Sequence, residues 1–169
     1  AVQKYLPART IERGDIIAFW SPEDPNTRLV KRVVGLPGET IEIRERQVYI
    51  NGKELAEPYK VHVDPNAYSR DSWVPATLQQ RDNLTPTVIP PNRYFMMGEN
   101  RDNSNDSRFW GFAHSEAFIG KPTFIYWSYE ADPNDAYLRS PKELLLHYVS
   151  VAEHFFSKTR WLRTGEFLR

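Results

Sequence analysis

The 169-residue chain contains no cysteine. A disulfide framework and a thiolate metal site are both excluded, and stability has to come from packing. There is no excess of either charge, because 22 Lys and Arg balance 22 Asp and Glu. Without a basic surplus to neutralise phosphate, nucleic acid is not an expected partner. Long apolar runs are missing as well. The longest, Ile16-Ile17-Ala18-Phe19-Trp20, falls far short of the roughly 18–20 residues that cross a bilayer and reads as a buried strand. No charged start followed by an apolar stretch marks a signal peptide, and the chain opens at Ala1, which suggests processing or trimming. What is present is 40% apolar and 14% aromatic residues, enough large side chains to fill one main globular core.

Short β-branched and aromatic runs, punctuated by Pro and Gly, predict strands near 15–20, 29–35, 40–44 and 47–51. Leu36-Pro37-Gly38-Glu39 fits a type II turn, and Asn51-Gly52 marks a type I′ hairpin turn leading into Lys53-Glu54-Leu55. Residues 56–91 are rich in Pro, Asp, Asn and Gln and read as an irregular insertion. Strand character returns at Arg93–Met97 and Phe124–Ser128. Ser140-Pro141-Lys142-Glu143 is a capping box, and apolar residues then recur at three- and four-residue spacings up to a stop at Gly165. The fold class is therefore mainly β, antiparallel, with an inserted irregular region (56–91) between core segments 9–55 and 92–129, and a C-terminal α-helix over 140–164.

Two features draw chemical interest. Lys31 and Arg32 interrupt the apolar strand Leu29–Gly35, and alternation sends them to opposite faces. A lysine driven toward an apolar face loses hydration, so its neutral amine can act as a general base; an edge-strand lysine in water fits the same pattern. The second feature is Gly98–Arg108, eleven residues of which ten are polar, set between apolar strands. Asp102, Ser104 and Asp106 begin a calcium loop, but Ser107 stands where Gly is needed and Ala113 where the bidentate Glu belongs. A self-satisfied turn loop tied by Asp106 and Arg108 is the other reading. His147 and His154, seven apart on one helix, lack the company of a metal site. A triad from His114 and Asp106 lacks a Gly-x-Ser-x-Gly elbow.

Three motifs in order resemble those of bacterial type I signal peptidases: Arg13-Gly14-Asp15-Ile16-Ile17-Ala18-Phe19; Val30-Lys31-Arg32-Val33-Val34-Gly35-Leu36-Pro37-Gly38-Glu39; and Tyr94 through Arg108, followed by Trp110-Gly111. The resemblance spans about residues 9–129. It implies a Ser-Lys dyad endopeptidase that removes signal peptides from exported preproteins. The catalytic domain would lie on the extracytoplasmic side of the bacterial inner (cytoplasmic) membrane, with the membrane surface as a partner of the full-length protein. It implies that Lys31 is the general base and that Ser104 orients it, with Arg32–Glu99 and Asp106–Arg108 as supporting ion pairs. Val30 would line a groove for extended peptides with small side chains. No metal or organic cofactor is implied.

Glu99 stands where that family has Asp, which lengthens its pair with Arg32 by one methylene. The family's nucleophilic serine lies in a Ser-Met-x-Pro type motif upstream of the Gly-Asp motif, after a membrane anchor. Ser21, in Ser21-Pro22-Glu23-Asp24-Pro25, follows the Gly-Asp motif and does not match it. The expectation is a domain trimmed of anchor and nucleophile, inactive by itself. Two alternatives are a catalytically inactive β module that binds peptides or partners, and a self-cleaving Ser-Lys regulator.

Overall fold

The computed structural model describes residues 10–123, 130 and 140–165. The chain divides into two compact units, Ala1–Pro122 and Thr123–Arg169. The expected strand at Phe124–Ser128, like residue 9, lies outside the described residues.

In the first unit two antiparallel sheets form. The larger contains β1 (Ile16–Trp20), β2 (Arg28–Gly35), β7 (Arg93–Met97), β8 (Ala113–His114) and β9 (Phe118–Gly120), in the order β8-β7-β2-β1-β9. The smaller contains β3 (Thr40–Arg44), β4 (Gln47–Ile50), β5 (Lys53–Glu54) and β6 (Leu84–Val88), in the order β5-β4-β3-β6. Fold class and the first strands match the expectation from periodicity. Gly38 takes φ 83° in the turn between β2 and β3, and Asn51 and Gly52 take φ 50° and 77°, the double left-handed geometry of a type I′ turn.

Segment 56–91 differs from a wholly irregular insertion. It carries a helix, α1 (Ala76–Asp82), and the strand β6. β6 contains Pro86 and sits at the sheet edge beside β3, where a missing N–H costs no ladder bond. That proline is why the strand is hidden in the sequence.

Alternation gives β2 and β7 two buried faces. Val34, Phe95 and Met97 join Ile41, Ile43, Val48, Ile50 and Ile89 in one cluster. Val33 and Met96 join Ile17, Phe19 and Ala113 in the other. Each fully buried side chain of this size contributes about 1.5–3 kcal/mol. The two clusters pack the two faces of the β2–β7 pair, and the candidate site sits at one end of it.

In the second unit the helix begins at Pro141, as the capping box predicts, but does not run to 164. α3 (Pro141–Glu153) ends at His154, and α4 (Phe155–Lys158) follows. The His154 imidazole Nδ1 lies 2.9 Å from the Ser150 carbonyl that the helical ladder also uses, a side-chain competition that bends helices. Val149, Ala152 and Phe156 are exposed rather than forming a buried stripe.

Candidate active site

Lys31 lies on β2 opposite Ile17 of β1, so alternation places it on the face that carries Val33 and the second cluster. Its ammonium reaches Ser104 and donates to the hydroxyl at 2.8 Å. Burial pushes the Lys31 pKa below the ordinary lysine value. The Asp106 carboxylate opposes that shift, and the Arg108 guanidinium adds to it. A lysine short of water holds its proton less tightly than one in solvent.

Gly98 makes the meeting possible. A Cβ built there would lie 2.3 Å from Ser104 Oγ and 2.6 Å from Ser104 Cβ. Gly98→Ala should therefore expel Ser104 from its seat beside Lys31 and cost about 1–3 kcal/mol of stability. Denaturant unfolding checks the cost, and a wild-type midpoint would show that the loop has room to shift.

The loop from Gly98 to Arg108 satisfies itself internally. Asp106 and Arg108 are both buried, with Arg108 Nε donating to Asp106 Oδ1 at 2.9 Å and Nη2 to Oδ2 at 2.9 Å. Asp106 Oδ2 also accepts the Gly98 N–H at 3.1 Å, and Oδ1 accepts the Arg108 N–H at the start of α2 (Ser107–Trp110). Arg32, on the opposite face of β2 from Lys31, pairs with Glu99 and donates to the Gly14 carbonyl at 2.6 Å. It also stacks over the Tyr59 ring at 4.2 Å. Arg32 ties the turn at Gly14, which has φ 92°, to the polar loop. Val30 is 56% exposed and alternates to the face away from Lys31.

Several polar contacts escaped the sequence. Arg101 and Glu57 form a buried pair, and Asp102 accepts the N–H groups of Val63 and Asp64 at 2.6 and 2.8 Å. His62 Nδ1 stands 3.1 Å from the Asp102 carboxylate. Burial raises that carboxyl's pKa, but the His62 contact, the two N–H bonds and Arg46 outweigh it and hold the group at about 2. A charged loop between apolar strands signals that counter-ions are needed, but nothing local selects Glu57, 44 residues away. Among the described residues no cluster of three or more His, Asp or Glu could hold a metal.

The first unit is thus an antiparallel β domain that brings a partly desolvated lysine against a serine, in a loop tied by ion pairs. The model of the family "Signal peptidase, peptidase S26" matches residues 1–127, and the chain belongs to that family. It is 34% identical over 154 residues to signal peptidase I of Pseudomonas aeruginosa, covering 77% of this chain and 54% of that protein. It is 38% identical to signal peptidase I V of Bacillus subtilis over 112 residues, covering 66% and 64%. Signal peptidase IB of Staphylococcus aureus is 33% identical over 124 residues, covering 70% and 62%. The chain thus spans between about half and two thirds of the length of these relatives. A crystal structure of a signal peptidase I from Enterococcus faecalis superposes with TM-score 0.52 at 34% identity, covering 69% of this chain and all of that one.

Proposed function

We propose that this protein is a serine endopeptidase of the Ser-Lys class that removes signal peptides from exported preproteins. The observation that carries the reading is the 2.8 Å bond between Lys31 and Ser104, at a lysine whose proton affinity burial lowers. Neutral Lys31 takes the proton of a nucleophilic serine hydroxyl, whose oxygen adds to the scissile carbonyl. The same amine hands that proton to the leaving nitrogen, and an acyl-enzyme remains. Lys31 then takes a proton from water, whose oxygen attacks the ester, and returns that proton to the departing serine oxygen, which frees the serine and restores the neutral amine. Ser104 accepts one N–H of the amine, which fixes its rotation and leaves the lone pair to face the nucleophile.

The proposal places that nucleophile on a serine outside these 169 residues. Ser21 Oγ is occupied by the N–H groups of Glu23 and Asp24 in its own turn, and Ser107 Oγ accepts the Met96 N–H in the core. Ser104 is wedged against Gly98. Exposed Val30, next to Lys31 in sequence but on the other face of β2, would line the groove for an extended signal peptide. The catalytic domain would work on the extracytoplasmic side of the bacterial inner membrane, against the membrane surface. Supporting a lipid-facing side, Phe156, Trp161 and Leu162 are 80%, 52% and 100% exposed beside Lys158, Arg160 and Arg163. Among the described residues no helix is long and apolar enough to cross a membrane.

The close Lys31–Ser104 contact also favours a second reading, with Ser104 itself as nucleophile. Preprotein processing separates the two. The full-length protein should cleave, the 169-residue chain should not, and Ser104→Ala in the full-length protein should lose about 10–10²-fold in kcat without abolishing turnover. Cleavage by the 169-residue chain that Ser104→Ala eliminates would make Ser104 the nucleophile.

A further inference from the structure

The segment after β5, which the sequence marks as an insertion, reaches into the loop that carries Ser104. Val61 donates to the Glu99 carbonyl at 2.8 Å and accepts the Arg101 N–H at 2.9 Å. The Val63 and Asp64 N–H groups close on the Asp102 carboxylate. Residues 57–64 thus run beside 99–102 and end this contact two residues before Ser104.

At the start of that run the Glu57 carboxylate, fully buried, grips the Arg101 guanidinium, which is 2% exposed. Arg101 Nη1 donates to Glu57 Oε2 at 2.8 Å, Nη2 donates to Oε1, and Tyr59 adds a hydroxyl bond to Oε1 at 3.3 Å. The third guanidinium nitrogen, Nε, donates to the Gly98 carbonyl at 3.1 Å. The Arg101 carbonyl in turn accepts Arg108 Nη2 at 2.6 Å. A continuous chain of contacts therefore runs from Glu57 through Arg101 to Gly98, against which Ser104 packs while its hydroxyl accepts from Lys31. A buried ion pair is a poor source of net stability compared with apolar packing. What a two-pronged carboxylate–guanidinium fork supplies is fixed geometry.

We infer that Glu57 is a positioning residue for the Lys31–Ser104 pair, acting through Arg101 and Gly98. The inference rests on the reading of Lys31 as the base. Without the carboxylate, Arg101 loses its fork and releases the Gly98 carbonyl, and the loop admits water to Lys31. Asp106 and Arg108 are the charged groups that act on Lys31, and neither bonds to Glu57, whose own partners are Arg101 and Tyr59.

The test follows the ε-CH2 carbon signal of Lys31 by NMR titration of the chain carrying 13C-lysine, assigned by its loss in Lys31→Arg. It is paired with kcat and KM of the full-length protein. Glu57→Ala should move the Lys31 midpoint upward by about one unit or more, as water returns to the amine. It should lower kcat by about 10²-fold while KM changes by less than about threefold. Glu57→Gln, which keeps one acceptor for Arg101, should fall between Glu57→Ala and wild type. Arg101→Lys, which keeps the cation but loses the fork, should reproduce the shift and stands in if Glu57→Ala does not fold. A depressed wild-type midpoint that none of these variants moves, with kcat unchanged, would overturn this inference alone. A wild-type Lys31 that titrates like a free lysine would overturn the base assignment and this inference with it.

Discussion

Lys31→Ala in the full-length protein is expected to lower the rate of preprotein cleavage by about 10²–10⁴-fold, the contribution of a positioned general base. Lys31→Arg should fail almost as badly, because a guanidinium does not deprotonate and cannot accept the serine's proton. The loss should come without a loss of fold. Lys31 has a pKa lowered by burial, so its folded value lies below its unfolded one. The folded state then binds fewer protons between those two values, and stability rises with pH across that window. Below it the half-buried cation opposes folding. Lys31→Met removes that opposition and fills the apolar face, so at neutral pH it should be at least as stable as wild type and inactive. Denaturant unfolding beside the cleavage assay separates the two effects. An active Lys31→Met would remove the lysine from the chemistry, and a strongly destabilised one would mean that its ammonium is well paired rather than desolvated.

Asp106→Ala is expected to have the largest effect on stability, about 3–5 kcal/mol, because it strands a buried guanidinium. Asp106 is fully buried and Arg108 is 2% exposed. Among the described residues Arg108 would keep the carbonyls of Arg81 and Arg101, at 3.0 and 2.6 Å, and the Phe109 ring, and the Gly98 N–H would lose its acceptor. A loss of this size is a large share of the about 5–15 kcal/mol that a folded domain holds. The surface pair Arg44–Glu42, with its arginine 52% exposed, sets the contrast. Breaking that pair should leave the unfolding midpoint close to wild type, because solvent screens an exposed ion pair. Urea unfolding of both variants checks the ordering. If Asp106→Ala unfolds within 1 kcal/mol of wild type, water solvates Arg108 and the loop is not locked by this pair.

The parts legible in the sequence were those whose cause is local. Asn51-Gly52 demands positive φ twice, and Pro37-Gly38 presets its turn, so strand ends beside them fall where expected. The turn at Glu45-Arg46, with φ 46° and 73°, uses charged residues that carry no such signal. Pro86 hid β6, because only the sheet order reveals that it occupies an edge. At the end of α3 the His154 imidazole meets the Ser150 carbonyl, a contact that spacing does not reveal, whereas Gly165 is the stop that local sequence marks. In the site, Lys31, Arg32, Ser104, Asp106 and Arg108 stand in motifs and could be named in advance. Glu57 could not, since its partner is chosen by how segment 57–64 folds back on the loop. Which residues approach across such a distance is a property of packing, not of spacing.

The pH dependence of kcat/KM for a signal-peptide substrate tests the central claim most directly. Only the neutral amine can take the serine's proton, so the rate should climb with pH through a single ionisation below the ordinary lysine value of about 10.4. That limb should be absent from the residual rate of Lys31→Ala. An ascending limb that persists unchanged in Lys31→Ala would contradict the claim and assign the base to another group.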